Sequence, residues 1–192
     1  MKQVIQIRCK NNKKSQKVEI GSTLFDVFSS FDLKMTHGPV SARVNNKVEG
    51  MHYRVYNSKD VEFLDMNSAS GSRAYTRTLF FVLCKAVQDI YPNTDVVIDI
   101  PVSNGFYVDI RLGRPVVDED VNILRRRMQE IIDSKMPIRR FTVPTEEAIA
   151  LFQEKGDVEK VKLLRTSGSI YTTYYKIGEY VDYYYGTLLT NT

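Results

Sequence analysis

The chain has 192 residues, of which 43% are apolar and 26% are charged, and its net charge is +4. This composition excludes an intrinsically disordered protein, and the length is enough for one or two domains with a proper core. The weak positive charge permits binding of nucleic acid or nucleotide without demanding it. No run approaches the roughly 18 apolar residues of a membrane helix, and the first residues form no signal peptide, so we expect a cytoplasmic protein that contacts no membrane.

Residues 1–66 have the pattern of short strands around one helix. A polar turn joins the first two apolar runs, which predicts a hairpin. Ser22 or Thr23 is the predicted cap of a helix whose apolar residues recur at helical spacing. In chain order the predicted elements are strands at 4–9 and 18–20, a helix at 24–31, and strands at 41–44, 47–48 and 61–64.

Residues 67–73 are small and polar and are predicted to form a linker to a second domain at 74–192. Two long amphipathic helices are predicted there, one ended by Tyr91-Pro92 and one by Pro137. The tyrosine-rich tail favours strand. The predicted elements are helices at 74–90, 118–135, 145–156 and 157–164, and strands at 96–100, at 106–110 and from 170 onward.

Two segments carry a resemblance to a known family. Residues 91–109, YPNTDVVIDIPVSNGFYVD, resemble the strand-turn-strand core of the editing-type domain of threonyl- and alanyl-tRNA synthetases. Near the end of the chain, four residues match the YVDxCRGPH run of that family: Tyr180, Val181, Asp182 and Gly186.

Residues 1–66 are similar to the β-grasp module called a TGS domain, which precedes the editing domain in threonyl-tRNA synthetases. The similarity lies in the ββα-then-β order and in the stretch Ala42-Arg43-Val44-Asn45. Together the two resemblances imply an α+β fold. A small ubiquitin-like β-grasp domain (1–66) and a linker (67–73) precede an α/β editing-type domain (74–192) with an antiparallel sheet and packed helices.

In the editing family an HxxxH on a helix and a CxxxH near the end of the domain converge on one metal or catalytic site. In this sequence Arg77 and Phe81 occupy the HxxxH positions, and Tyr184 and Leu188 occupy the CxxxH positions. An arginine repels a cation and a phenylalanine has no lone pair to offer one. We therefore expect the fold without this chemistry, with no catalytic residue and no metal ligand.

The resemblance implies a cleft that still binds a ligand. Arg77 suits phosphate or carboxylate, and a strand would place Asp182 and Tyr184 on one face, where the tyrosine offers a stacking platform for a base. Core packing for Phe81 and sheet packing for the tyrosine are the ordinary alternatives. The candidate cleft residues are Arg77, Phe81, Asn104, Lys160, Asp182 and Tyr184.

Basic residues outside this cleft give a second candidate surface. Lys13 and Lys14 lie in the first predicted turn, and Arg125 and Arg126 lie on a predicted helix. These four are candidates for RNA contact, although such clusters are most often solvated faces.

Three functions are open at this point. The first is a non-catalytic ligand-binding or regulatory region of a larger uridine (nucleoside) kinase-type protein, because a group of bacterial kinases is similar in carrying this pair of domains before its kinase domain. No GxxxxGK[ST] occurs in the chain, so ATP and Mg²⁺ are expected only if such a domain follows, and no other cofactor is expected. The second is a free-standing module that binds tRNA or other RNA. The third is active hydrolysis of mis-acylated tRNA. The expected partners are the kinase domain and a nucleoside, nucleotide or tRNA.

Overall fold

The computed structural model describes residues 3–103 and 105–192 and has the predicted α+β class. The chain divides into two compact units. Unit 1 comprises Met1–Lys135 together with Gly186–Thr192, and unit 2 comprises Met136–Tyr185. The predicted domain boundary at residues 67–73 stays a prediction, and the division of the structure falls elsewhere.

The described residues form ten strands and five helices. No helix in this part of the chain is both long and apolar enough to cross a membrane. The helices α1 to α5 span Leu24–Ser30, Ala69–Ile90, Asp118–Asp133, Thr145–Glu154 and Val158–Thr166. The strands β1 to β10 span Val4–Cys9, Ser15–Glu19, Ser41–Val44, Lys47–Glu49, Lys59–Leu64, Val96–Val102, Gly105–Ile110, Arg139–Pro144, Tyr171–Ile177 and Tyr180–Tyr183.

Unit 1 contains a five-stranded sheet in the order β2-β1-β5-β3-β4, in which β1 and β5 are parallel and the other pairs are antiparallel. The ββα-then-β order is as predicted. Helix α1 begins where predicted, because the Thr23 side chain accepts from the Asp26 N–H while the Asp26 carboxylate accepts from the Thr23 N–H. The buried core of this sheet and helix includes Ile7, Leu24, Val27, Met51, Val61 and Phe63.

Helix α2 begins inside the segment predicted to be a linker, so residues 69–73 are helical. Ser68 caps the helix by accepting a hydrogen bond from the Gly71 N–H. Gly71 is buried, and a Cβ built on it would lie 1.9 Å from the carbonyl oxygen of Asp65 and 2.8 Å from Cγ2 of Val40. The small, polar residues of the segment 67–73 therefore serve a helix cap at Ser68 and a close backbone contact at Gly71.

This contact reverses the usual effect of a glycine substitution in a helix. Gly→Ala in a helix interior ordinarily stabilises by about 1 kcal/mol. For Gly71→Ala we expect destabilisation by about 1–3 kcal/mol instead, because the added methyl group overlaps backbone that cannot move aside. Urea unfolding measures the difference. Ser72→Ala, at an exposed position in the same turn, is the control and is expected to change stability by about 0.5 kcal/mol or less.

The remainder of unit 1 includes the β6–β7 hairpin and helix α3. The start of α3 is fixed by the buried carboxylate of Asp120, which accepts from the Val117 N–H, from Arg114 and from the Tyr91 hydroxyl. These hydrogen bonds, with that of Arg114 the strongest, hold the pKa of Asp120 well below its usual range. The hydrogen bonds of Asp120 therefore fix the residue at which α3 begins. Arg125 and Arg126 lie about two turns further along this helix.

Unit 2 contains a three-stranded antiparallel sheet in the order β10-β9-β8, with α4 and α5. Strand β8 was not predicted from the sequence. It pairs with β9 from Arg139 opposite Lys176 to Pro144 opposite Tyr171. The core of this unit includes Ala148, Ile149, Phe152, Val161, Leu164 and Val181.

Candidate functional site

Two of the predicted cleft residues lie one turn apart on helix α2 in unit 1. Phe81 is fully buried, and Arg77 is half-buried. Residues four apart share one face of a helix, so the spacing that would let two histidines chelate a metal is retained. The side chains at these positions give the face an apolar ring and a guanidinium instead.

The end of the chain returns to this turn of α2. The Leu189 N–H donates to the Thr78 hydroxyl at 2.9 Å, and Arg77 Nη1 donates to the carbonyl oxygen of Thr187 at 3.4 Å. Leu188, at the last CxxxH position, is buried. Three of the four positions of the family's site, Arg77, Phe81 and Leu188, therefore lie in one unit, and two of them belong to its apolar interior.

Gly186 allows the Arg77 side chain to lie against the backbone. A Cβ at Gly186 would lie 2.8 Å from Cζ of Arg77, and the φ of Gly186 is +114°, which L side chains rarely adopt. The glycine that matches the family's run therefore serves here to admit a guanidinium.

Three of the four residues at the family's metal-site positions supply no lone pair to a cation, because Arg77 has a guanidinium, Phe81 a phenyl and Leu188 an isobutyl group. The phenol oxygen of Tyr184 is the one remaining donor atom among the four. Among residues 3–103 and 105–192, no group of three or more His, Cys, Asp or Glu residues is placed to hold a metal ion.

In unit 2 the predicted residues Lys160 and Asp182 form an ion pair. Lys160 Nζ lies 2.8 Å from Oδ1 of Asp182 and 2.6 Å from Oδ2 of Asp157. The buried Asp182 carboxylate also accepts from the Tyr180 hydroxyl and from the Tyr183 N–H, each at 2.7 Å. Lys160 is thus paired with two carboxylates, and the Asp182 carboxylate has three partners within the unit.

The electrostatics of Lys160 follow from this arrangement. Burial on its own would lower the pKa of Lys160, but the negative charges of Asp182 and Asp157 outweigh it and the pKa is raised. Lys160 therefore stays protonated at neutral pH and is unsuited to act as a general base.

Two predicted cleft residues remain, Tyr184 and Asn104. Tyr184 follows strand β10 and is half-buried, while its neighbour Tyr185 is 89% exposed. Asn104 lies outside the described residues. Because Arg77 and Phe81 belong to unit 1 and Lys160, Asp182 and Tyr184 belong to unit 2, a single cleft containing all of them stays a prediction.

The four RNA-contact candidates all lie exposed on unit 1. Lys13 and Lys14 are in the turn between β1 and β2, and Arg125 and Arg126 are on α3. The next residue, Arg127, is instead paired with Asp89 and Glu130. The triplet of arginines therefore provides two solvent-facing charges and one arginine that forms two ion pairs.

Sequence reasoning missed Arg73, which lines a small cavity together with Arg77. The signal was present, because the two arginines stand four residues apart and so share one face of a helix. It was overlooked because residue 73 was assigned to a linker.

No protein-family model matches the chain. The chain is, however, similar to threonine--tRNA ligases. It is 30% identical over 173 residues to that of Acetivibrio thermocellus, a match covering 90% of this chain and 27% of the ligase. It is 29% identical over 181 residues to that of Clostridium kluyveri, covering 93% and 28% respectively. It is 29% identical over 171 residues to that of Clostridioides difficile, a match covering 88% of this chain and 27% of the ligase.

This chain is thus threonine--tRNA ligase-like over about nine-tenths of its length. It spans little more than a quarter of the length of the curated relatives it matches. The synthetase resemblance expected from residues 91–109 and 180–186 is therefore confirmed at the level of a ligase-like region.

Proposed function

We propose that this chain is a threonine--tRNA ligase-like module that binds tRNA and does not hydrolyse mis-acylated tRNA. The observation that carries the proposal is the similarity to threonine--tRNA ligases over 173 residues, in a chain whose HxxxH and CxxxH positions hold Arg77, Phe81, Tyr184 and Leu188. A region similar to a tRNA ligase is expected to contact tRNA. Without the histidines and the cysteine of the HxxxH and CxxxH motifs, it has no group there that activates water for hydrolysis.

Exposed charge on unit 1 supports the binding part of the proposal. Lys13, Lys14, Arg125 and Arg126 all face solvent. A phosphate backbone that contacts such side chains releases counterions, which makes the affinity fall with salt. The TGS-like character of residues 1–66 is part of the same proposal.

The test is tRNA binding measured by fluorescence anisotropy across a series of salt concentrations. With four phosphate contacts the slope of log K against log salt is expected to be about −3, and Lys13→Ala/Lys14→Ala is expected to make it shallower by about 1.5. Lys34→Ala/Lys162→Ala removes the same charge from exposed positions outside the candidate set and is the control. A slope unchanged by the first pair, or no binding at low salt, contradicts the proposal.

The non-catalytic part is tested on the same protein. Mis-acylated tRNA is expected to lose its amino acid at the uncatalysed rate in the presence of this chain. Enzyme-dependent release, with or without added Zn²⁺, would restore the editing alternative.

The second candidate is a ligand-binding region of a nucleoside kinase-type protein. It rests on the resemblance of this pair of domains to the region before the kinase domain in bacterial nucleoside kinases. Of its candidate cleft residues, Lys160 and Asp182 form an ion pair with each other. The test is the reading frame beyond the codon for Thr192 together with binding of uridine. A GxxxxGK[ST] after a strand and saturable uridine binding support it, and a synthetase body there excludes it.

A further inference from the structure

Unit 1 contains a small cavity of about 140 Å³ beside the first turns of α2. Its wall combines side chains of α2 with the segment that returns at the end of the chain. Ligand pockets that hold whole drug-sized molecules are larger, about 300–1,000 Å³. The cavity therefore suits one chemical group. The lining residues are Val48, Ser70, Arg73, Arg77, Gly186 and Thr187.

The cavity holds two arginines whose charges have no carboxylate partner within 4.0 Å among the described residues. Arg73 Nη2 donates to the Ser70 hydroxyl at 3.3 Å, and Arg77 Nη1 donates to the Thr187 carbonyl oxygen at 3.4 Å. Both are long contacts to neutral acceptors. Several arginines elsewhere in unit 1 are paired with carboxylates, namely Arg43, Arg111, Arg114 and Arg127.

Two like charges four residues apart on a helix repel each other. An anion between them removes this repulsion and gains charge-assisted hydrogen bonds from both guanidinium groups. The glycine at position 186 keeps the Arg77 guanidinium at this wall, because any side chain there would overlap it. The arrangement is therefore built to hold both positive charges beside one small space.

We propose that this cavity binds a phosphate group, with Arg73, Arg77 and the Ser70 hydroxyl as donors. A phosphate offers three or more strong acceptor oxygens, which matches two guanidinium forks and a hydroxyl. The phosphate belongs either to the backbone or an end of RNA or to a free phosphate ion. The RNA source rests on the proposed function, and the free ion does not.

The first experiment uses inorganic phosphate alone. Thermal unfolding and titration calorimetry compare sodium phosphate with sodium chloride at equal ionic strength, so that general screening is subtracted. The wild-type chain is expected to be stabilised by phosphate in a saturable manner. Arg73→Gln and Arg77→Gln are each expected to lower the phosphate affinity by about ten-fold to a hundred-fold.

Arg73 is exposed and Arg77 is half-buried, so Arg73→Gln keeps the test informative if Arg77→Gln does not fold. Arg165→Gln, at an exposed position on α5 in unit 2, removes the same charge and is expected to leave phosphate binding unchanged. Absence of a phosphate-specific effect in the wild-type chain overturns the inference. Equal phosphate binding by wild type and Arg73→Gln also overturns it.

The second experiment identifies the source of the phosphate. If phosphate displaces tRNA and Arg73→Gln weakens both, the group belongs to RNA. If Arg73→Gln weakens phosphate and leaves tRNA binding intact, the site takes the free ion. Phosphate binding without any tRNA binding supports the site while contradicting the proposed function, so the two failures are distinguishable.

Discussion

Phe81→Ala is expected to lower the free energy of unfolding by about 3–5 kcal/mol. The ring is fully buried on helix α2, so its removal loses the transfer free energy and leaves a cavity that the surrounding residues fill only in part. Urea unfolding, with the midpoint and the m-value fitted separately, measures the loss.

The control for this substitution is Phe25→Ala. Phe25 lies on α1 with 36% of its surface exposed and contacts His52 edge to face, so its removal is expected to cost about 1 kcal/mol. A loss of less than about 1 kcal/mol for Phe81→Ala would contradict a closed apolar interior at the HxxxH position. Phe81→His is expected to destabilise the chain as well, and added Zn²⁺ is expected not to restore stability.

Asp182→Ala is expected to destabilise the chain by about 3 kcal/mol. The substitution removes the acceptor of Lys160, of the Tyr180 hydroxyl and of the Tyr183 N–H in one step. The expected loss is at the lower end for a broken buried ion pair, because Asp157 still compensates the charge of Lys160. The measurement is again urea unfolding.

A double-mutant cycle separates the pair from the packing. Lys160→Met combined with Asp182→Ala is expected to cost less than the two single substitutions together, with a coupling of about 1–3 kcal/mol. Lys176→Met is the control in the same unit, because its ion pair with the exposed Glu179 is expected to contribute about 1 kcal/mol or less. Strict additivity for Lys160 and Asp182 would show that the pair contributes nothing specific.

Elements with a strong local signal were predicted well. The strand Ser41–Val44 and the start of helix α3 at Asp118 are confirmed, and α1 follows from the spacing of its apolar residues. Of the two predicted caps, Ser22 and Thr23, the structure has Thr23. These features depend on residues close in sequence, which single-chain patterns reveal.

Features that depend on distant contacts were missed. Strand β8 begins with two exposed arginines and ends with a proline, and only its pairing with β9 makes it a strand. The start of α2 was read as a linker because the contact of Gly71 with Asp65 is invisible in composition.

The same limit applies to the candidate residues. The family resemblance identified Lys160 and Asp182 as candidates. It did not predict that the two side chains form an ion pair with each other. Arg73 was left out altogether, since its importance comes from the cavity it shares with Arg77 and Gly186.

The contact between Leu189 and Thr78 joins residues 111 positions apart, across the whole of the contiguous segment Met136–Tyr185. During synthesis, Met136–Tyr185 is complete before residues 187–189 have left the ribosome. The turn of α2 that carries Arg77, Thr78 and Phe81 therefore lacks its contacts with residues 187–189 until unit 2 has been synthesised. Of the two units, unit 1 is thus the first to begin and the last to be completed during translation.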